Sequence, residues 1–283
     1  MLLLVPSDPV NPRRVDEHFA PEASAAVELG AQVSVVNLEA LSAGDADTAA
    51  QRVGPSDDAV YRGWMVTAHA YEQLVAALQR RDCVLRTSPA AFRTAHELPG
   101  WAAALAPHTP TAEWTTSPAV SELIELCGSM APGAGVLRDY VKSMKHYWHE
   151  AAFIPDLADP DAVRSIGQRF VELRGDAFNG GFVVRRFEEF VGPEVRTWWA
   201  DGVLALTTAH PDSPEELPHQ FEMPAGVSGA VAGLGLPFVT VDFVRRRDGV
   251  WRIVELGDGQ VSDRPRSTPP EGLVAALWSG RSL

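Results

Sequence analysis

The chain has 283 residues, of which 46% are hydrophobic, so it is long enough to bury a large core and to form two domains. Its formal net charge of −13 argues against non-specific binding to nucleic acid or to anionic lipid, so an anionic ligand would need a local basic pocket. The cysteines, Cys83 and Cys127, are far apart, which is typical of reduced thiols and rules out a cysteine-based zinc site.

Residues 1–106 alternate between strand and helix patterns. The opening MLLLV is followed at once by Pro6, Ser7 and Asp8, so it is too short for a signal peptide or a membrane span and predicts a strand in a cytoplasmic protein. Further strands are expected at 31–36, 59–61 and 83–86, with helices at 16–29, at 67–80 and after Pro89. This alternation favours an α/β domain with a parallel sheet, in which ligands bind at the carboxyl ends of the strands. Ser7, Asp8 and Arg62 lie at such ends, although turn and capping roles are the simpler explanation for Ser7 and Asp8.

Residues 107–118, PHTPTAEWTTSP, are rich in proline and threonine and predict a connector, with the domain boundary at 112/113. After it, an α+β lobe is expected at about 119–187 and a second lobe at about 188–283. The first lobe should contain strands at 136–140 and 182–187 and helices at 119–126 and 160–174. The acidic stretch 188–192 is expected to be a hinge.

Lys142 and Lys145 are the only lysines of the chain and lie three residues apart. A lysine is a compact, mobile charge that can follow a phosphate during transfer, so the pair indicates a phosphate clamp. The alternative is that both lie on a solvated face and bind nothing.

The last part of the chain is expected to be a set of hairpins. Asp201-Gly202 predicts a two-residue turn, which places Glu194 and Arg196 on the same face of the preceding strand. The following loop, 211–235, could be a lid or a plain surface excursion.

A second hairpin, 239–247 with 250–257 around Asp248-Gly249, places two carboxylates opposite each other. With a two-residue loop, Asp242 faces Glu255 and Val244 faces Ile253. The acids lie among apolar neighbours and would repel each other unless a cation or a proton lies between them. Mg²⁺ would meet this need, with Asp258 as a third ligand. An accidental pairing is the alternative, because the same register sets two arginines against each other.

Other chemistries are poorly supported, because the sequence contains neither a GxSxG nucleophile motif nor a GxxxxGK[ST] phosphate loop. The order of elements, with a basic strand and loop, an acidic hinge, an E-x-R strand, an Asp strand and an E-L-G-D strand, resembles the ATP-grasp superfamily over nearly the whole chain. The segments YRGWM, HELPGW, DYVKSMKHYWHEAAFIPD and VELGDGQV resemble a divergent ATP-grasp branch. That branch includes a eukaryotic translation-initiation assembly factor and many uncharacterised bacterial proteins.

The resemblance implies an N-terminal Rossmann-like pre-ATP-grasp domain, residues 1–112, followed by a two-lobed ATP-grasp domain, residues 113–283. ATP would lie between the lobes, with its adenine at the hinge and its phosphates on basic side chains. The implied nucleotide-binding residues are Arg138, Lys142, Lys145, Arg185, Arg186, Phe187, Glu189, Glu194 and Arg196, and Arg196, Lys142 and Lys145 would be catalytic. The implied Mg²⁺ ligands are Asp242, Glu255 and Asp258.

The implied activity is an ATP-dependent, Mg²⁺-requiring, ADP-forming ligase that joins a carboxylate to an amine through an acyl phosphate. A non-catalytic ATP-binding adaptor and a kinase-like phosphotransferase are the alternatives, and the carboxylate and amine could belong to a small molecule, a peptide or a protein terminus. Three departures from the ATP-grasp pattern concern the site. Arg138 stands where a lysine is usual, Arg186 where the hinge often has an acid, and E-L-G-D replaces the commoner E-x-N.

Overall fold

The computed structural model describes residues 1–218 and 220–279, in which three four-stranded sheets follow one another along the chain. Within these residues no helix combines the length and the apolar character needed to cross a membrane. The predicted domain boundary at 112/113 stays a prediction, and the end of the predicted second domain, 280–283, lies outside the described residues.

The first sheet is parallel, with the strand order β2-β1-β3-β4. Its strands are β1 (Leu2–Pro6), β2 (Gln32–Val36), β3 (Ser56–Tyr61) and β4 (Cys83–Leu85). Its helices are α1 (Ala20–Glu28), α2 (Leu38–Ser42), α3 (Ala46–Ala50), α4 (Ala68–Gln79), α5 (Pro89–His96) and α6 (Leu98–Trp101). β1 is buried on both faces, since Leu2 and Leu4 pack in one core cluster while Leu3 and Val5 pack in another.

The second sheet is antiparallel and has the strand order β5-β8-β6-β7. Its strands are β5 (Ala112–Trp114), β6 (Gly135–Asp139), β7 (Phe153–Ile154) and β8 (Phe182–Arg186), and its helices are α7 (Val120–Met130) and α8 (Pro160–Arg174). α8 begins where its sequence predicts, because Asp159 caps the amides of Asp161 and Ala162 and Pro160 fills the first turn.

The third sheet is antiparallel and has the strand order β10-β9-β11-β12. Its strands are β9 (Phe190–Ala200), β10 (Val203–Ala209), β11 (Phe238–Arg246) and β12 (Trp251–Asp258), accompanied by α9 (Val227–Gly233) and α10 (Pro270–Ser279). Asp201 and Gly202 adopt positive φ of 48° and 76°, so the predicted two-residue turn between β9 and β10 is confirmed.

The structure corrects several element predictions. The first helix starts at Ala20, because Asp16 instead accepts a turn hydrogen bond from the His18 amide. The connector 107–118 contains β5, which pairs with β8, and the hinge stretch 188–192 contains the start of β9. The sequence patterns missed α2, α3, α6 and α10; α2 and α3 are only five residues long and α6 only four.

The β11–β12 hairpin keeps the predicted pairing of Asp242 with Glu255, but the register nearer its loop is different. Phe243 lies opposite Ile253 and Val244 opposite Arg252, so the predicted pairing of Val244 with Ile253 is wrong. The loop is longer than two residues, and a bulge between Ile253 and Glu255 shifts the register back. The accidental alternative loses its support, because Arg245 faces Trp251 and the two arginines do not pair.

Arg62 fixes the segment after β12 to the first sheet. Its guanidinium is fully buried, forms a bidentate ion pair with Glu22 and donates to the carbonyls of Gly259, Gln260 and Ser262. The loop that follows the predicted metal strand is therefore held by the first sheet. Asp8 has the predicted capping role, since its Oδ1 accepts from the amides of Val10 and Asn11.

Candidate active site

Two cavities meet at a shared wall between the second and third sheets. The hinge cavity, about 410 Å³, lies between β6 and β8 on one side and β9 and β12 on the other. The sheet cavity, about 360 Å³, lies over the ends of β11 and β12 and reaches Trp64 of the N-terminal part. Lys145, His210 and Glu255 line both cavities, so a molecule in one is close to a molecule in the other.

The hinge cavity combines apolar walls with buried arginines. Its lining includes Arg138 and all four predicted hinge residues, Arg185, Arg186, Phe187 and Glu189. Arg185 donates to the carbonyl of Val254 and to Thr109 Oγ1, at 2.6 and 2.7 Å, yet its buried Nε has no hydrogen-bond partner among the described residues. Burial, followed by the repulsion of Arg138, lowers the pKa of Arg185 to about 9. Both arginines thus contribute positive charge to a cavity whose other walls include Val136, Trp148 and Val254.

The remaining hinge residues are held by contacts of their own. Arg186 donates to the carbonyls of Met130 and Pro132, and Glu189 pairs with Arg247. Glu188, which the sequence arguments passed over, pairs with Arg252 at 2.8 Å. Since Arg252 also donates to the carbonyls of Pro107 and Thr109, this network ties the connector to β12.

Arg196 and Asp242 form a buried bidentate ion pair across β9 and β11. Nε lies 2.8 Å from Oδ1 and Nη2 lies 2.7 Å from Oδ2, while Nη1 donates to the Asp263 carbonyl at 2.9 Å. Burial acts to raise the pKa of Asp242, but the Arg196 guanidinium outweighs it and the pKa falls to about 2. The cation that the sequence argument required beside Asp242 is therefore present, and it belongs to the chain.

His210 lies at the centre of the shared wall, and the sequence arguments missed it. Its Nε2 is 3.6 Å from Asp242 Oδ2 and 3.8 Å from Glu194 Oε2. The Asp212 amide donates to Nδ1, which places the proton of the neutral ring on Nε2, toward the two carboxylates. One ligand atom from each of Glu194, His210 and Asp242 lies within 4.8 Å of the others. A strand-end His-Pro pair is too common for this role to have been read from the sequence.

The carboxylates of this region are crowded. Burial raises the pKa of Glu194, and the nearby Asp242 and Glu255 carboxylates raise it further while His210 opposes them. Asp258, the predicted third ligand, lines the sheet cavity, but its Oδ1 accepts from the amide and the side chain of Gln260. Strand alternation places it on the opposite face of β12 from Glu255. Its role as a ligand stays a prediction.

The two lysines occupy different positions. Lys145 lines both cavities and pairs with Asp212 at 2.6 Å, a hydrogen bond that raises the lysine pKa. Lys142 lines only the sheet cavity among the described cavities. Also in that wall is His96, stacked on Phe92 at 5.1 Å, which the sequence analysis used only as part of the HELPGW segment.

Comparisons with known proteins agree on one family. The model of an ATP-grasp domain family, the third family of its clade, matches residues 127–277, more than half of the chain. No curated protein sequence matches significantly. The likeness to a eukaryotic assembly factor stays a prediction.

Several solved structures share the fold. A RimK domain ATP-grasp protein from Sphaerobacter thermophilus DSM 20745 superposes with a TM-score of 0.61 at 16% identity, covering 98% of this chain and 99% of its own. The D-cycloserine synthetase DcsG gives a TM-score of 0.60 at 18% identity, with 98% and 100% covered. The ATP-grasp ligase PsnB, in complex with a minimal precursor, Mg and ADP, gives 0.59 at 14% identity, with 99% and 97% covered.

Proposed function

Because the chain belongs to the ATP-grasp domain family whose model it matches, we propose that it is an ATP-dependent, Mg²⁺-requiring ligase that joins a carboxylate to an amine. The observation that carries this proposal is the shared wall, since a ligase must bring a nucleotide and its acceptor together at one point. A protein that only binds ATP needs the hinge cavity but not the adjoining sheet cavity. We expect the protein to act in the cytoplasm.

The hinge cavity fits a nucleotide. Apolar walls suit a base, and Arg138, Arg185 and Lys145 suit phosphates, because arginine and lysine form charge-assisted hydrogen bonds to them. The buried Arg185 Nε without a partner is a donor that a ligand oxygen could accept. ATP, when bound there, supplies the phosphoryl group that activates the carboxylate as an acyl phosphate and leaves as ADP.

The carboxylates fit a hard divalent cation. Asp242 and Glu255 face each other on β11 and β12, and Glu194 is the nearest further carboxylate beside Asp242. Carboxylate oxygens are the ligands that Mg²⁺ prefers, and the raised pKa of Glu194 indicates uncompensated negative charge that a cation would relieve. Mg²⁺ there would neutralise phosphate charge. The bound ADP and Mg of PsnB support this proposal by fold likeness alone.

The residues of the chain then have separate tasks. Arg196 is held by Asp242 and presents a fixed guanidinium to the sheet cavity, where it can orient a carboxylate. Lys145 reaches the shared wall from the second sheet and can exchange Asp212 for a phosphate oxygen, because both side chains of that pair are exposed. The Nε2 proton of His210 points to the same wall and can donate to an anionic group that forms there.

The test is ADP release by the purified chain with Mg²⁺–ATP and pools of carboxylates and amines. A ligase releases ADP only when both substrates are present, and Glu255→Gln should abolish this turnover. The outcome that counts against a ligase is tight ATP binding without turnover in any pool, which is the behaviour of an adaptor. ADP release with a carboxylate alone, and a stable phosphorylated product, would indicate the phosphotransferase.

A further inference from the structure

The sheet cavity contains one cationic side chain whose charge is not compensated. Three lysine and arginine side chains line it. Lys145 pairs with Asp212 and Arg196 pairs with Asp242, whereas Lys142 has no ion-pair partner in residues 1–218 and 220–279. Charged groups that face a cavity and lack a partner are candidates for ligand contacts.

The backbone of Lys142 is fixed, which distinguishes it from a lysine on a mobile surface loop. Asp139 is fully buried and pairs with Arg174 at 2.8 Å. Its other oxygen accepts from the amides of Val141 and Lys142, at 2.8 and 2.6 Å. A buried carboxylate thus holds the start of the Lys142 side chain at the cavity.

The rest of the wall is acidic or neutral. Burial, followed by the repulsion of Lys142, lowers the pKa of His96 to about 4, so the ring is uncharged at neutral pH. The acids of this wall are Asp212, Asp242, Glu255, Asp258 and Asp263. Glu255 has no ion-pair partner among the described residues, so one free positive and one free negative charge face the same space.

We propose that the sheet cavity binds a free amino acid as the acceptor substrate, with Lys142 on its carboxylate and its amino group toward the acidic shared wall at Glu255. This inference rests on the proposed ligase function and names its acceptor. The volume of about 360 Å³ is near the lower end of small-molecule pockets, which fits a free amino acid better than the end of a folded protein. It also gives Lys142 a task separate from the phosphate contact that the sequence predicts.

The two lysines provide a matched pair of variants for the first experiment. ATP affinity of the full chain is measured calorimetrically with Mg²⁺ for wild type, Lys142→Ala and Lys145→Ala. We expect Lys145→Ala to weaken ATP binding about ten- to a hundredfold and Lys142→Ala to change it less than about twofold. Equal losses in the two variants would overturn the assignment of Lys142 to the acceptor.

The second experiment measures binding of the proteinogenic amino acids, and of their amides, to the chain loaded with Mg²⁺ and a non-hydrolysable ATP analogue. At least one amino acid should bind to wild type, and both its amide and Lys142→Ala should weaken that binding at least about tenfold. If no amino acid binds, or if acid and amide bind equally, the inference is wrong. A wild type that binds no ATP would instead refute the proposed function.

Discussion

The sharpest prediction compares Asp242→Asn with Glu255→Gln. The two carboxylates face each other on neighbouring strands, and a sequence argument treats them as equals whose mutual repulsion either change would relieve. The structure separates them, because Asp242 is 2% exposed and bound to Arg196 whereas Glu255 lies between two cavities without an ion-pair partner among the described residues. The expectation that Asp242→Asn leaves the free protein as stable or more so is therefore wrong.

The magnitude follows from the pKa of Asp242. An ordinary aspartate has a pKa of about 3.9, and here the value is lowered to about 2, which corresponds to about 2.5 kcal/mol of stability above pH 4. That contribution is lost as pH falls from about 4 toward 2. Asp242→Asn also leaves the Arg196 guanidinium buried without its partner, a loss that costs about 3–5 kcal/mol in other proteins. We expect about 3 kcal/mol for Asp242→Asn, because Arg196 keeps its bond to the Asp263 carbonyl, and less than about 0.5 kcal/mol for Glu255→Gln.

Urea denaturation of the ligand-free variants at pH 7 measures both numbers. The same samples with Mg²⁺–ATP at a hundred times its dissociation constant give the second half of the test, since wild type should gain about 2.7 kcal/mol. Both variants should lose most of that gain. Equal free energies of unfolding for the two free variants would refute the argument from Arg196, and wild-type gains in both would refute the metal assignment.

Two further predictions concern contacts outside the carboxylate cluster. Arg62→Ala should destabilise the chain by about 3–5 kcal/mol because Glu22 loses its partner in the interior; the control is Arg80→Ala, whose exposed pair with Asp47 should be worth less than about 1 kcal/mol. Gly181→Ala should cost about 1–3 kcal/mol, since a Cβ there would lie 2.1 Å from the Thr115 carbonyl oxygen. Gly229→Ala in α9 meets nothing within 4 Å and should stabilise by about 0.5–1 kcal/mol, so a loss in both glycine variants would contradict the steric explanation.

The sequence predicts the fold best where one local rule decides the structure. The turn at Asp201-Gly202 and the start of α8 at Pro160 depend on neighbouring residues alone, and both are as predicted. The strand β5 was missed because proline and threonine around it signal a connector, and its pairing with β8 comes from a segment far along the chain. The pairing of Asp242 with Glu255 was correct although the loop length was not, because the bulge in β12 compensates for the longer loop.

The site was predictable in its residue types but not in its contacts. The lysines, Arg196 and the facing carboxylates were identified from spacing and from family resemblance. The Arg196–Asp242 ion pair depends on the register between β9 and β11, and its two residues are 46 positions apart along the chain, with β10 and α9 between them. His210 became visible only when the strand end was placed beside Glu194 and Asp242. Contacts between strands distant in sequence are what local patterns cannot determine.

The buried positions of the site carry arginine, whereas both lysines are exposed, and a charge argument explains the difference. Burial lowers the pKa of Arg185 to about 9, so it stays protonated at pH 7. A lysine that lost the same amount from its ordinary pKa of about 10.4 would titrate near neutral pH and lose its charge. We therefore expect Arg185→Lys to become more stable relative to wild type as pH rises from 7 to 9, by up to about 1.4 kcal/mol per pH unit, because unfolding then takes up a proton. Its ATP affinity should fall over the same range. Parallel pH profiles of unfolding for the variant and wild type would show that burial at this position does not select arginine.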